Sequence, residues 1–105
     1  MSRHTLGPDD LKEGELRAYP LGKRSVLVTR RGGQLRAMDN WCNHAGCLLS
    51  GGWLEGNQVV CPCHEIGFDL DSGANLTSPG IAGDQEVYPL ELVDGQVVVV
   101  GFPTE

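Results

Sequence analysis

The 105-residue sequence has no lysine or arginine after position 36. All eight basic side chains lie in the first third: Arg3, Lys12, Arg17, Lys23, Arg24, Arg30, Arg31 and Arg36. From residue 37 onward there are instead ten acidic residues: Asp39, Glu55, Glu65, Asp69, Asp71, Asp84, Glu86, Glu91, Asp94 and Glu105. That stretch is a poor match for nucleic acid or an anionic membrane, because like charges repel. A basic protein surface would suit it. The sequence also lacks any apolar run near the roughly 18 residues that cross a bilayer. Its first ten residues, MSRHTLGPDD, contain no apolar segment of the kind a secretory signal needs. The reading is therefore a cytoplasmic, membrane-free product. No repeat, low-complexity linker or long amphipathic helical pattern is present, and the length suits one domain, residues 1–105, with a modest core.

Glycine is abundant at 15 residues, with 6 prolines, and these punctuate short runs of β-forming residues. Such punctuation predicts an all-β domain. Residues 1–13 read as irregular, with one helical turn at Asp9–Lys12. Glu15–Tyr19 is a weak first strand, and Ser25–Thr29 is a strong one rich in β-branched residues. Gly32-Gly33 turns the chain back into Gln34–Met38. A second hairpin pairs Trp53-Leu54 with Gln58–Val60, Phe68–Leu70 is a short strand, and a last hairpin joins Glu86–Leu92 to Gln96–Val100 across Asp94-Gly95. Between the scaffold strands, about residues 40–80, sits a small inserted unit.

That unit holds every cysteine and two of the three histidines, in the runs Cys42-Asn43-His44-Ala45-Gly46-Cys47 and Cys61-Pro62-Cys63-His64. Thiolate and imidazole suit iron–sulfur clusters and zinc. The spacing is Cys-x-His, sixteen residues, then Cys-x-x-His, so each loop offers one sulfur and one nitrogen donor. One reading is a closed tetrahedral Zn²⁺ site of two Cys and two His. Zinc fingers commonly present a Cys pair and a His pair, whereas here each loop carries one of each, and two cysteines would be left over. The other reading is a pair of sulfide-bridged irons, one held by two thiolates and one by two imidazoles.

The two runs, with Gly67, Phe68 and Asp69 behind them, resemble the Rieske [2Fe–2S] family. So do the hairpin that leads into the first loop, the proline-bearing loop Ser78-Pro79-Gly80 and the closing hairpin VYPLELVDGQVVV. The resemblance covers nearly the whole chain. It implies an antiparallel β-sandwich or barrel scaffold with an inserted cluster-binding subdomain. It implies Cys42 and Cys61 on the buried iron, and His44 and His64 on the outer one. Ala45, Gly46, Ile66, Gly67 and Phe68 would surround the ligands, with Pro79 covering the cluster from a third side. It further implies a Cys47–Cys63 disulfide, a feature of the Rieske proteins of cytochrome bc-type complexes that soluble oxygenase ferredoxins usually lack. In one respect the sequence departs from those proteins. They place a serine two residues after the last ligand and a tyrosine four after it, where this chain has Ile66 and Phe68. Neither can donate a hydrogen bond to sulfur.

In the oxidised state two ferric ions are balanced by two sulfides and two thiolates, so the core is neutral and reduction leaves a single negative charge. Four thiolates would start from a more negative core. Neutral imidazoles therefore place this class at roughly −150 to +300 mV, against about −400 mV for plant-type ferredoxins. Losing the two hydroxyl donors should lower the potential within that range. In length and in lacking a membrane helix, the chain is similar to the soluble Rieske ferredoxins that feed ring-hydroxylating oxygenases. The resemblance implies a monomeric one-electron carrier without catalytic residues of its own, with a flavin reductase and a terminal oxygenase as partners. The alternatives are a Rieske subunit of a larger arsenite-oxidase-like or quinol-linked complex, and a redox or iron sensor. Glu65 reads as a surface carboxylate beside His64, Asp69 and Asp71 as turn residues, Trp41 and Trp53 as packing residues, and His4 as a disordered surface residue.

Overall fold

The computed structural model describes residues 3–22, 24–41, 47–63, 65–77 and 84–100. Ten strands follow one another: β1 Arg3–Pro8, β2 Leu16–Leu21, β3 Arg24–Arg31, β4 Gln34–Asp39, β5 Trp53–Glu55, β6 Gln58–Val60, β7 Gly67–Asp69, β8 Val87–Tyr88, β9 Leu90–Val93 and β10 Gln96–Val100. The helical content of the described residues is one 3-10 turn, Leu49–Gly51. All strand pairings are antiparallel. They make three sheets, in the orders β1-β10-β9, β2-β3-β4-β8 and β5-β6-β7.

The middle sheet is buried on both faces. Along β3, successive side chains point to opposite sides. Val26 and Val28 join Ala37, Tyr88, Val97 and Val99 in a core shared with the β1-β10-β9 sheet. Leu27 faces the other way and packs with Met38, Leu49, Val59, Cys61, Ile66, Phe68 and Leu70. This double burial explains why Ser25–Thr29 reads as a nearly continuous β-branched run rather than an alternating one. The third sheet, built entirely from residues 53–69, thus packs on the scaffold through this apolar cluster.

Four expectations are corrected. Residues 3–8 are a strand, paired along β10 from Arg3↔Val100 to Pro8↔Gln96 with a register shift between Thr5 and Gly7. Gly7 and Pro8 disguise it, but β1 lies at a sheet edge, where a missing proline N–H breaks no ladder. His4 therefore sits half-buried in a strand rather than on a disordered terminus. Asp9–Lys12 forms no helical turn: Leu11 drops into the core, Asp9 pairs with Arg30, and Asp10 pairs with Arg17. Glu86–Leu92 is not one strand. It breaks at Pro89, so that β8 pairs with β4 and β9 with β10, which carries the chain from one sheet to the other.

The charge halves also meet. Arg36 Nε lies 2.6 Å from Asp71 Oδ1, Arg3 pairs with Glu91 at 2.9 Å, and Arg24 approaches Glu86 at 3.7 Å. The Arg36 guanidinium, and then the Asn57 amide, hold the Asp71 carboxyl below its ordinary pKa. Asp69 Oδ1 accepts from the N–H groups of Asp71 and Ser72, the Asx turn expected there.

Leu27 is 1% exposed and Leu92 is 56% exposed. In urea unfolding, Leu27→Ala should destabilise by about 2–5 kcal/mol. Leu92→Ala should stay within about 0.5 kcal/mol of the parent.

Candidate metal centre

Two chain segments converge at the end of the molecule where β4 and β6 finish. After β6 the chain enters a tight loop whose ends are tied by Cys61 N–H donating to Ile66 O at 2.8 Å and Glu65 N–H donating to Cys61 O at 2.9 Å. Glu65 adopts a left-handed φ of 55°, a conformation uncommon outside glycine. Its side chain is exposed. Cys61 is fully buried and carries a free thiol. It sits in the same apolar cluster as Ile66 and Phe68, which are 2% and 0% exposed.

The first loop is closed at its neck. Trp41 and Leu48 form an isolated antiparallel bridge, and Leu49 N–H donates to Asn40 O at 2.7 Å. The two loops are joined by a disulfide between Cys47 and Cys63, with Cα atoms 6.5 Å apart. That separation lies within the usual range for the bond. Cys63 is exposed and Cys47 partly buried. Gly52 lets the loops approach: a Cβ there would lie 1.9 Å from the backbone oxygen of Val60. Gly67 is buried, and a Cβ on it would lie 1.9 Å from Gln58 Oε1. Gly67 N–H donates to Thr77 Oγ1 at 2.9 Å, and Leu76 N–H to Gly67 O at 2.8 Å, which brings a third segment alongside.

Cys42, His44, Ala45, Gly46, His64 and Pro79 lie outside the described residues. The disulfide takes two of the four cysteines and leaves Cys42 and Cys61, which with His44 and His64 could supply two sulfur and two nitrogen donors. This donor set fits a Rieske centre. The free, apolar-walled thiol of Cys61 suits a ligand to a buried iron. Trp41 and Trp53, expected as packing residues, are exposed at 48% and 40%. Reading the sequence also passed over Asn40, Gln58, Thr77 and Gln85. Asn40 carried one usable signal, a polar residue closing a strand just before the ligand run. The other three had none.

An all-antiparallel scaffold bearing two disulfide-clamped Cys/His loops defines a small iron–sulfur protein. The chain belongs to the Rieske [2Fe-2S] domain family, whose family model matches residues 4–100. It is 39% identical over 97 residues to the anthranilate 1,2-dioxygenase ferredoxin subunit of Burkholderia cepacia, covering 91% of this chain and 89% of that one. Among solved structures it resembles the ferredoxin of Sphingomonas yanoikuyae B1, with a TM-score of 0.85 and 28% identity over 93% of this chain and 97% of that one. It equally resembles a chain in a complex of reduced oxygenase and oxidised ferredoxin in carbazole 1,9a-dioxygenase. There the TM-score is 0.85 and the identity 28%, over 98% and 96% of the two chains. The protein is an electron carrier with a Rieske [2Fe–2S] cluster, and not itself a catalytic enzyme. No helix among the described residues is long and apolar enough to cross a membrane.

Cys63→Ser should lower stability by about 3 kcal/mol, the entropic worth of closing a loop of this size. Urea titration of parent and variant measures it, and the difference should vanish once the parent is reduced with excess dithiol.

Proposed function

We propose that this chain is a diffusible, monomeric carrier in the cytoplasm, passing single electrons from a flavin reductase to a terminal ring-hydroxylating oxygenase. It acts as one domain, residues 1–105, with the cluster-binding unit at about 40–80. The observation that carries this reading is the end-to-end match to a dioxygenase ferredoxin subunit, together with the complete Cys/His donor set. When bound, the cluster supplies one-electron storage. Cys42 and Cys61 would hold one iron, and His44 and His64 the other. Cys61 anchors its side in the core, and the Cys47–Cys63 bond keeps the loops together. Ile66 and Phe68 exclude water there and offer no hydroxyl. Ala45, Gly46, Gly67 and Pro79 would complete the surround, as the family resemblance implies.

The partner should dock at this end through a basic surface. No cation lies in residues 37–105, and the exposed Glu65 directly follows His64. The exposed pair Trp41 and Leu48, facing each other across the neck of the first loop, adds apolar contact area beside that charge. A second reading, a subunit of a larger arsenite-oxidase-like or quinol-linked complex, is favoured by the disulfide; co-purification with a large molybdenum or haem subunit would support it.

Anaerobically purified protein should be coloured, hold iron in place of zinc and give the low-symmetry electron-spin signal of a Rieske centre when reduced. Colourless protein with zinc alone would overturn the assignment. Its midpoint should fall below that of quinol-oxidising family members, because two hydroxyl donors are missing; a value above about +200 mV, near the top of the class range, would contradict this. In a reconstituted chain, turnover at limiting carrier should fall as salt rises past about 0.1 M, where the screening length is near 10 Å. Salt-independent turnover would remove the electrostatic part.

A further inference from the structure

Two buried carboxamides, Asn40 and Gln85, meet at the point where β4 gives way to the first ligand loop. Asn40 is 0% exposed. Its Oδ1 accepts from Ser50 N–H at 2.8 Å, and its Nδ2 donates to Ser50 Oγ at 3.1 Å and to Ser25 Oγ at 3.0 Å. Its own backbone accepts from Leu49 and donates to Ser25 O. One side chain thus joins the segment entering the loop to the 3-10 turn leaving it, and fastens both to the start of β3.

Gln85 is 4% exposed. Its Nε2 donates to Asp39 O at 2.9 Å and to Trp41 O at 2.8 Å. These are the two carbonyls flanking Asn40, and the second belongs to the residue immediately before Cys42. Both N–H groups of one amide are therefore spent on the take-off of the ligand loop. Gln85 also donates its backbone N–H to Gly73 O at 2.8 Å, just beyond β7 and the second loop. Nearby, Asn75 N–H donates to Asp84 Oδ1 at 3.0 Å. The segment carrying Gln85 is thereby fixed to the second-loop side while its side chain holds the first-loop side. The disulfide joins the two loops directly, whereas Gln85 ties the take-off of the first loop to the turn after β7.

The scaffold ladders do not need these bonds. Asn40 and Gln85 lie outside every strand, and carboxamides are costly to bury unless their donors and acceptors are matched to partners. We propose that Asn40 and Gln85 are positioning residues for the cluster: they set the direction in which the chain enters the Cys42–His44 run, and with it the retention and electronic character of the centre. This rests on the ligand assignment above.

The test uses the loaded, full-length protein. Gln85→Leu removes both donors at similar volume, and Gln85→Glu keeps the shape while reversing the sense of the contacts. Val97→Ala, in the core shared with the β1-β10-β9 sheet, is the comparison for simple loss of stability. Release of iron to a chelator, followed by the visible absorbance, should quicken roughly tenfold or more in both Gln85 variants, the scale typical of groups that orient metal ligands. The electron-spin signal of their reduced forms should shift or broaden. Val97→Ala should lower the far-UV melting temperature without altering that signal. If the Gln85 variants release iron at the parent rate with an unchanged signal, the proposal fails. It fails equally if their release only tracks lost melting temperature as in Val97→Ala. Parent protein without iron would bring down the ligand assignment instead, a result distinguishable from both.

Discussion

The contact of Leu27 and Met38 with Leu49, Val59, Phe68 and Leu70 is the constraint on which the ligand end depends. These side chains come from the scaffold, the 3-10 turn and the third sheet, and each is essentially withdrawn from water. Fully burying a residue of this size is worth roughly 1.5–3 kcal/mol. The third sheet has only three strands of three residues each, too little to hold itself rigid without a face to pack on. Cys61 belongs to the same apolar cluster. The packing that seats the small sheet thus also fixes the position of the Cys61 thiol.

Around that anchor the polar bonds divide the work. The disulfide constrains the two loops covalently at the surface. From inside, Asn40 ties the base of the first loop to Ser25 and Ser50, Gln85 donates to the carbonyls of Asp39 and Trp41, and Thr77 brings the third segment against Gly67. An electron carrier benefits from this redundancy, since a centre that keeps its geometry on gaining a charge has less to reorganise. Apolar walls at Ile66 and Phe68 perform a second service. They keep water from the Cys61 side, whereas Glu65 and the Trp41–Leu48 pair stand exposed.

The charge pattern behaves differently in sequence and in space. Along the chain, basic and acidic residues are almost segregated. In the fold, Arg3, Arg24 and Arg36 reach across to Glu91, Glu86 and Asp71. Those exposed pairs contribute little stability individually. Their effect is on the surface field: each pair neutralises a basic side chain with an acidic one.

The sequence by itself determined the chemistry. Donor types and spacing lie within two short runs, and nothing distant is needed to read Cys42, His44, Cys61 and His64 as a mixed sulfur–nitrogen set. It likewise determined the β class and the hairpins closed by Gly32-Gly33 and Asp94-Gly95, because turn chemistry is local. Only the tertiary structure decided that residues 3–8 form a strand, since Arg3–Pro8 acquires β structure from its pairing with β10 rather than from its own propensity. It alone decided that the last hairpin splits at Pro89 between two sheets, and that Trp41 and Trp53 face outward. The contacts of Gln85 were hidden for the same reason: its amide donates to the carbonyls of Asp39 and Trp41, more than forty residues away along the chain.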